Sequence, residues 1–368
     1  MAVTISVPGA NHTTVFRTYT DAGNSALAQS IAATIATLTN LTVSSVTGGG
    51  QVAIPITSPQ GLEFSGTGSY TVPSGYAYAV DNVSPAALAV SMGGGVFIGG
   101  DGNIGFTNAP GASDTVLAGN GNDTFALSGR YQVAAGTGAD TYSLGGTGVV
   151  SLGGGVNAVT ITTGADTVFA SSGNKGLAIN GAGGALFYYG SNTPGVVVDT
   201  IAGGTGGSTV VGGNNEAIAF IGNAAASIPG LLVAGGGNET LVAANSPGRD
   251  LIFGSAVSGT SDVLLASNLN SSSLVGGAGS DSLVGGAAPT TFFINNGLKG
   301  NDFIYNANGA DTLALTGFDS LPAYSSVPGG AATVVKAALA TSNTVTLADG
   351  TKITFAGAGA NGISIFSS

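Results

Sequence analysis

The sequence has no cysteine and no tryptophan, and only 7 of its 368 residues are lysine or arginine. Without cysteine, the chain has neither disulfide bonds nor thiolate metal sites. The few basic residues form no cluster, and the formal net charge of −11 disfavours nucleic acid and anionic membranes as partners. No run of about 18 apolar residues indicates a membrane-spanning helix, so we expect no membrane insertion.

Residues that would carry out catalysis are scarce as well. The single histidine, His12, has no plausible catalytic partner nearby in the sequence. Neither a G-x-S-x-G nor an H-E-x-x-H motif occurs. Paired carboxylates of a glycosidase would need a unique constellation, whereas the aspartates of this chain repeat at one motif position. We therefore expect that the protein is not an enzyme.

Glycine is abundant, with 65 residues, while 43% of the chain is hydrophobic and only 7% is charged. Disordered chains show the opposite balance, few apolar and many charged residues. A collagen-like helix is excluded because there is no G-X-Y period. The composition therefore predicts ordered β-structure in which frequent turns use the glycine.

The most regular stretch is Gly276–Val284, which reads G-G-A-G-S-D-S-L-V. It matches the nonapeptide G-G-x-G-x-D-x-U-x, where U is a large apolar residue, at every specified position. The glycines allow a tight turn, the aspartate offers a carboxylate to a hard cation, and the apolar residue begins a short strand.

Imperfect copies of this motif occur through the middle of the chain. Each of them keeps an aspartate followed two residues later by a large apolar residue, at Asp114–Val116, Asp123–Phe125, Asp140–Tyr142, Asp166–Val168, Asp302–Ile304 and Asp311–Leu313. Weaker echoes occur at Asn238–Leu241, Arg249–Ile252 and Ser261–Leu264. The acidic residues are therefore patterned, and the short apolar segments between them can bury a common core only when they stack as the coils of a solenoid.

The segment from about residue 109 to residue 314 resembles the calcium-binding nonapeptide repeats of the repeats-in-toxin (RTX) family, which is exported by type I secretion. The resemblance implies a parallel β-roll with two repeats per coil and calcium between the loops of successive coils. Asp123 and Asp140 are 17 residues apart, and Asp262 and Asp281 are 19 apart, close to the two-repeat spacing expected for one side. The sequence departs from the family at Lys299, two repeats after Asp281, so we do not expect an unbroken row of sites.

The resemblance implies that motif residues hold the calcium ions, namely Asp114, Gly121, Asp123, Gly138, Asp140, Asp166, Asp262, Gly279, Asp281, Gly300, Asp302 and Asp311. The alternative is that each aspartate only forms its turn, a role that this residue also favours. Calcium is the preferred interpretation for Asp123, Asp140 and Asp281. Asp302 and Asp311 are 9 residues apart, which should place them on opposite sides of the roll.

The segments on either side of the repeats differ from them. Residues 1–108 predict a β-rich or α+β domain with an edge strand at Val3–Val7 and one helix, capped by Asp21 or Asn24, that packs on a sheet through Leu27, Ile31, Ile35 and Leu38. Residues 109–319 predict the solenoid. Residues 320–368 predict a short helix at Ala331–Ala340 and a hairpin around Asp349-Gly350. This last segment also resembles the C-terminal export signal of type I substrates.

We therefore predict a mainly β protein, a parallel β-solenoid with an N-terminal β-rich domain that carries one helix. The expected function is that of a secreted structural protein, extracellular or at the cell surface. We expect its copies to assemble into a filament, matrix or surface layer that calcium stiffens, with residues 1–108 on one side of the contact. The alternative is an adhesin or another binding module, with cell-surface polysaccharide as a candidate partner; ice binding and carbohydrate-active roles are less favoured.

Overall fold

The computed structural model describes residues 2–20, 22–56, 58–171, 174–191, 198–214, 216–223, 225, 228–243, 249–356 and 362–368. This described part of the chain is mainly β, with 45% strand and 2 α-helices, and it forms a parallel β-solenoid of about 13 turns. The predicted fold class is therefore confirmed. The chain divides into two compact units, unit 1 at Met1–Phe187 and unit 2 at Tyr188–Ser368.

Unit 1 begins with an antiparallel hairpin of β1 (Val3–Pro8) and β2 (Thr14–Tyr19), followed by helix α1 (Ala22–Ala36). The predicted edge strand and helix are thus present, although Asp21 lies outside the described residues. The helix and the hairpin bury one apolar cluster against strands of the solenoid. The members of this cluster are Ile5, Val7, Val15, Tyr19, Ala28, Ile31, Ile35, Tyr78, Val80, Ile98, Leu117 and Ala134. The predicted packing of the helix on a sheet is confirmed.

The coils of unit 1 place alternate strands in two parallel sheets. The first sheet contains β3 (Thr42–Val46), β5 (Gln60–Phe64), β7 (Tyr78–Asp81), β9 (Gly95–Ile98), β11 (Ser113–Leu117), β13 (Arg130–Ala134), β15 (Thr147–Ser151) and β17 (Ala165–Phe169). The second contains β4 (Gly50–Gln51), β6 (Gly68–Val72), β8 (Leu88–Met92), β10 (Ile104–Asn108), β12 (Thr124–Leu127), β14 (Thr141–Leu144), β16 (Gly155–Ile161) and β18 (Asn174–Asn180). Strand β19 (Ala185–Tyr189) lies across the division between the units.

Unit 2 repeats this arrangement. Its first sheet contains β21 (Ser208–Val211), β23 (Leu231–Val233), β25 (Leu251–Phe253), β27 (Ser272–Val275), β29 (Thr290–Asn295), β31 (Thr312–Thr316) and β34 (Ser364–Ser367). Its second sheet contains β20 (Val198–Ala202), β22 (Ala217–Ile221), β24 (Thr240–Val242), β26 (Val263–Leu265), β28 (Ser282–Val284), β30 (Asn301–Tyr305), β33 (Lys352–Ala356) and β32 (Thr344–Thr346). Helix α2 (Gly330–Leu339) packs against β34 and β32.

The strands form because their apolar residues alternate, so that the inward side chains of stacked coils line up. In unit 1, Val116, Val133 and Val150 occupy paired positions of three successive strands, and all are at most 1% exposed. In the second sheet the rings of Phe125 and Tyr142 stack with centroids 4.8 Å apart. Each coil buries little by itself, and the aligned rows make the core continuous within a unit.

Parallel pairing includes β3 in unit 1 and β34 in unit 2, so it extends to parts of segments 1–108 and 320–368, predicted from the sequence to lie outside the solenoid. The physical reason is that a coil needs inward apolar residues and turns, and does not need the nonapeptide. The predicted hairpin around Asp349-Gly350 is confirmed by the antiparallel pairing of β32 with β33, and the predicted short helix corresponds to α2.

Glycines at the corners allow successive loops to touch through their backbones. A Cβ atom on Gly138 would overlap the carbonyl oxygen of Gly121 in the preceding coil, and one on Gly121 would overlap that of Gly102. No side chain fits at these corners without a shift, because the overlapping atoms belong to the backbone of the preceding coil.

Replacing Gly138 with alanine is therefore expected to force two coils apart. We expect Gly138→Ala to lower the melting temperature strongly or to prevent folding. Gly105→Ala is the matched control, because a Cβ there would meet its nearest neighbours only at 3.9 Å. It should cost little or nothing. Thermal unfolding followed by circular dichroism measures both, and equal melting temperatures for the two variants would contradict the close stacking.

Candidate functional site

Every aspartate that the sequence predicts as a calcium ligand is buried, none of them more than 3% exposed. Asp123 and Asp140 immediately precede β12 and β14, which are neighbours in one sheet. Asp262 and Asp281 immediately precede β26 and β28, which are also neighbours. The prediction that each pair occupies one side of adjacent coils is therefore confirmed.

In unit 1 the side chains form a row in which each accepts a hydrogen bond from the coil before it. The backbone N–H of Ile104 donates to Oδ1 of Asp123 over 2.8 Å, and that of Asp123 donates to Oδ1 of Asp140 over 2.9 Å. The N–H of Asp140 then donates to Oδ1 of Asn157 over 3.2 Å. Asn157 takes the position in this row that an aspartate occupies in the other two coils, and the sequence alone did not single it out.

A second row runs through unit 2. The backbone N–H of Glu239 donates to Oδ1 of Asp262 over 3.0 Å, and that of Asp262 donates to Oδ1 of Asp281 over 3.1 Å. Pairing of Ser282 with Phe303 places Asp302 in the next position of the same row. Contrary to the expectation from the sequence, Lys299 therefore does not interrupt the row. The coil from Asp281 to Asp302 is longer than the one before it, and Lys299 lies in its turn with a positive φ of 56°. In the sequence, the weak match of Asn238–Leu241 to the nonapeptide was the only indication that Glu239 takes part in this row.

The remaining predicted aspartates do not join these rows. Register pairing runs from Asp114 through Tyr131 and Gly148 to Asp166, so two coils separate the two carboxylates. The Tyr131 hydroxyl donates to Oδ1 of Asp166. Asp311 precedes β31 in the first sheet of unit 2, whereas Asp302 lies in the second, which confirms their predicted placement on opposite sides.

The predicted glycines lie at the stacked corners beside the aspartates. A Cβ on Gly279 would overlap the carbonyl oxygen of Thr260, and one on Gly300 would lie 2.6 Å from that of Gly277. Gly121 and Gly138 stack in the same way in unit 1. These contacts bring backbone carbonyl oxygens, which calcium accepts as ligands, close to the carboxylates.

The carboxylates differ in how many of their oxygens are already used. Both oxygens of Asp262, Asp281 and Asp311 accept hydrogen bonds from backbone N–H groups. Oδ2 of Asp123, Oδ1 of Asp302, Oδ2 of Asp166 and both oxygens of Asp114 are buried and accept none. Asp123 and Asp302 each have a second carboxylate in the adjacent coil, whereas Tyr131 and Gly148 lie between Asp114 and Asp166, so the places at Asp123 and Asp302 fit a cation best.

Among the described residues no group of three or more histidine, cysteine, aspartate or glutamate side chains could hold a metal ion. A calcium ion at either place would therefore need backbone carbonyl oxygens to complete its coordination, as calcium commonly uses.

Burial makes the charged form of these groups unfavourable. Desolvation, with repulsion from Asp140 adding to it, raises the pKa of Asp123 to about 8. Desolvation and repulsion from Asp281 raise the pKa of Asp302 to about 8, and burial raises that of Asp140 to about 6. Desolvation and the neighbouring Asp262 raise the pKa of Glu239 to about 9. At neutral pH these pKa values keep Asp123, Asp302 and Glu239 protonated in the absence of a cation.

A further buried acidic group lies in unit 2, where the Tyr188 hydroxyl is 2.6 Å from both Oδ2 of Asp199 and Oε1 of Glu216. The backbone N–H of Ser191 donates to Oε2 of Glu216 over 2.9 Å. Neither acid matches the nonapeptide, and the sequence did not single them out. Desolvation raises the pKa of Tyr188 well above its usual range, so the hydroxyl stays protonated and donates.

Comparisons with protein-family models, curated proteins and solved structures found no match to this chain. The class of protein is therefore defined by the fold: a parallel β-solenoid, compatible with RTX-type repeats, with rows of buried acids at its corners. Such a fold is consistent with a structural or adhesin-like protein. Neither helix in the described part of the chain has the length and apolar character needed to cross a membrane.

The raised pKa values predict how stability depends on pH when no divalent cation is present. In the unfolded chain aspartates ionise near pH 3.9, whereas Asp123 and Asp302 retain their protons in the folded protein up to about pH 8. Between these values the folded state binds more protons, so stability falls as pH rises. We expect the melting temperature in EDTA to decrease from pH 4 to pH 8. A melting temperature that rises over this range would contradict the assigned protonation.

Substitutions at Asp123 separate the charge from the hydrogen bond. Asp123→Asn keeps an oxygen for the Ile104 N–H and removes the charge, as the chain itself does at Asn157. In EDTA at pH 8 we expect it to melt at or above the wild-type temperature. Asp123→Ala leaves a buried N–H without an acceptor and should cost about 1–3 kcal/mol. Asp101→Asn, at an exposed loop position, is the control. Equal destabilisation by both Asp123 variants would contradict this role for the carboxylate.

Proposed function

We propose that this protein is a secreted structural protein of the RTX type, whose copies assemble outside the cell into a filament, matrix or surface layer. The fold supports a structural role because each unit is a stack of parallel coils with a continuous core. The RTX resemblance of the repeats supports export and an extracellular location. Under this proposal no chemical reaction is required of the buried acids.

The observation that carries the proposal is the open first coil. In the part of the chain that the structure describes, β3 pairs only with β5, and β4 only with β6, so each has an edge without a strand partner. Nearby, Ile54 and Ile56 are 73% and 93% exposed. Charged residues normally protect such edges, and none occurs between residues 18 and 62 except Asp21.

The first strand of the chain is a weaker candidate for this contact than β3. Val3–Val7 belongs to β1, which pairs with β2 of its own chain over its whole length. Its inward side chains, Ile5 and Val7, are already buried in the cluster that holds α1. A Lys at Ile5 would unfold that cluster, so edge substitutions in β3 test assembly more cleanly.

Calcium is proposed to hold the acid rows in their folded arrangement. When bound, it supplies the positive charge that the buried carboxylates lack, since no basic residue shares their rows. Asp123 with Asp140, and Asp302, are the side chains that we expect to contribute. Asp262, Asp281 and Asp311 are expected to remain hydrogen-bond acceptors of their own loops, because both of their oxygens are occupied.

Electron microscopy and light scattering of the full chain, with calcium and with EDTA, test the proposal. We expect ordered polymers with calcium and fewer or none in EDTA. Ser45→Lys places a charge on the open edge strand β3 and should suppress assembly. Thr107→Lys, at an exposed position of the internal strand β10, is the matched control and should assemble normally. If the wild-type protein stays monomeric at high concentration with calcium, the proposal fails.

A further inference from the structure

The outer face of the first sheet of unit 2 carries an uninterrupted apolar column. Register pairing aligns the residues in seven neighbouring strands, namely Val211, Val233, Phe253, Val275, Phe293, Ala314 and Phe366. The residues between the outward positions point inward, and Leu232, Ile252 and Phe292 are at most 1% exposed. The column is therefore an outward row. Most of its side chains are half-buried, Val275 is buried and Phe366 is exposed.

A second outward column runs beside the first and contains Thr209, Leu231, Leu251, Ser273, Thr291, Thr312 and Ser364. None of the residues in the two columns is charged. Leu231 and Leu251 are 38% and 37% exposed, and Phe366 is 63% exposed. Together the columns form a flat uncharged surface, called here the outer stripe, in a chain whose net charge is −11.

In unit 1 a similar outward column is covered by elements of the same chain. There Ile98, Leu117 and Ala134 occupy paired outward positions, and all are at most 2% exposed because α1 and the β1–β2 hairpin lie over them. Tyr19 fixes this cover by donating from its hydroxyl to the carbonyl oxygen of Gly99 over 2.9 Å. Among the described residues of unit 2, no helix or hairpin covers the outer stripe in this way.

We infer that the outer stripe is an interface between copies of this chain, with the stripe of one copy packed face to face on the stripe of a second. The inference rests on the proposed assembly and names a surface for it. An uncharged sheet offers no compensating contact to a charged partner, but it is complementary to another copy of itself. Each copy has a net charge of −11, and on this uncharged surface two copies can approach without bringing like charges together.

The opposite face of unit 2 favours a repeating assembly of copies and not a closed dimer. The second sheet carries its own outward column of Ala202, Ile221, Val242, Leu265, Val284, Tyr305 and Ala356, aligned by register. Ile221 is 61% exposed and Tyr305 is 39% exposed. A copy with one apolar face on each side can contact two neighbours, so contacts through both faces extend into a row of copies.

The size of the outer stripe predicts that one such contact is weak. Strand spacings of about 4.8 Å give the stripe a length of about 30 Å. At a width of about 10 Å it would bury roughly 300 Å² per copy, well below the roughly 800 Å² of a standard stable interface. The contact is therefore expected to depend steeply on concentration and to form within an assembly where it is repeated.

The first test changes one exposed residue of the outer stripe. Leu251→Lys would bury a charge between two sheets, so the protein concentration needed for assembly in calcium should rise at least tenfold. Gln132→Lys is the matched control, because Gln132 is exposed on the outer face of β13 in unit 1. Its assembly should match the wild type. Circular dichroism is expected to show the same fold and melting temperature for both variants.

The second test uses the absence of cysteine, which makes any introduced thiol unique. Leu251→Cys in assembled protein should give a covalent dimer with a short bifunctional maleimide at least tenfold faster than Gln132→Cys. If wild-type protein assembles but positions 251 and 132 behave alike in both tests, the inferred interface is wrong and the proposed function stands. If wild-type protein never assembles, the proposed function fails, and this inference with it.

Discussion

The structure depends on how the backbone N–H groups at the corners of the coils are satisfied. Where one strand ends and the next begins, the chain turns away from the sheet, and its N–H groups would be buried without acceptors. The row from Asn157 through Asp140 to Asp123 supplies these acceptors, each side chain receiving an N–H from the coil before it. A buried N–H without a partner costs about 1–3 kcal/mol, so a row of such contacts holds the corners in register.

This solution brings carboxyl groups close together in a chain that has few cations. Asp123 lies one coil from Asp140, and Asp302 one coil from Asp281. Desolvation by burial, with repulsion from these neighbours added, raises the pKa values of Asp123 and Asp302 to about 8. An asparagine can fill the same position without charge, as Asn157 does. The use of aspartate at the other positions is therefore best explained by a partner for the charge. That reasoning, together with the oxygens of Asp123 and Asp302 that accept no hydrogen bond, supports the proposed calcium.

The two units treat their outer surfaces differently. Unit 1 covers three outward apolar residues with its own helix and hairpin, whereas among the described residues of unit 2 no such cover lies over the two outward columns, most of whose side chains are half-buried or exposed. Since the inward rows of each unit already form a core, the outward apolar residues of unit 2 are not needed to stabilise the coil itself. An uncharged and repetitive outer face is what lateral packing between copies requires, and it links the coil geometry to the proposed structural role.

The sequence by itself determined the fold class, because the short apolar segments between glycine-rich turns can bury a core only by stacking. It also determined the pairs Asp123 with Asp140 and Asp262 with Asp281, whose spacing equals one coil. Register, however, depends on coil length, and coil length varies. Only the tertiary structure could show that Asp302 continues the row of Asp281 after a longer coil, that two coils lie between Asp114 and Asp166, and that parallel pairing begins at Thr42. These contacts are set by backbone stacking between residues far apart in sequence, which no local motif records.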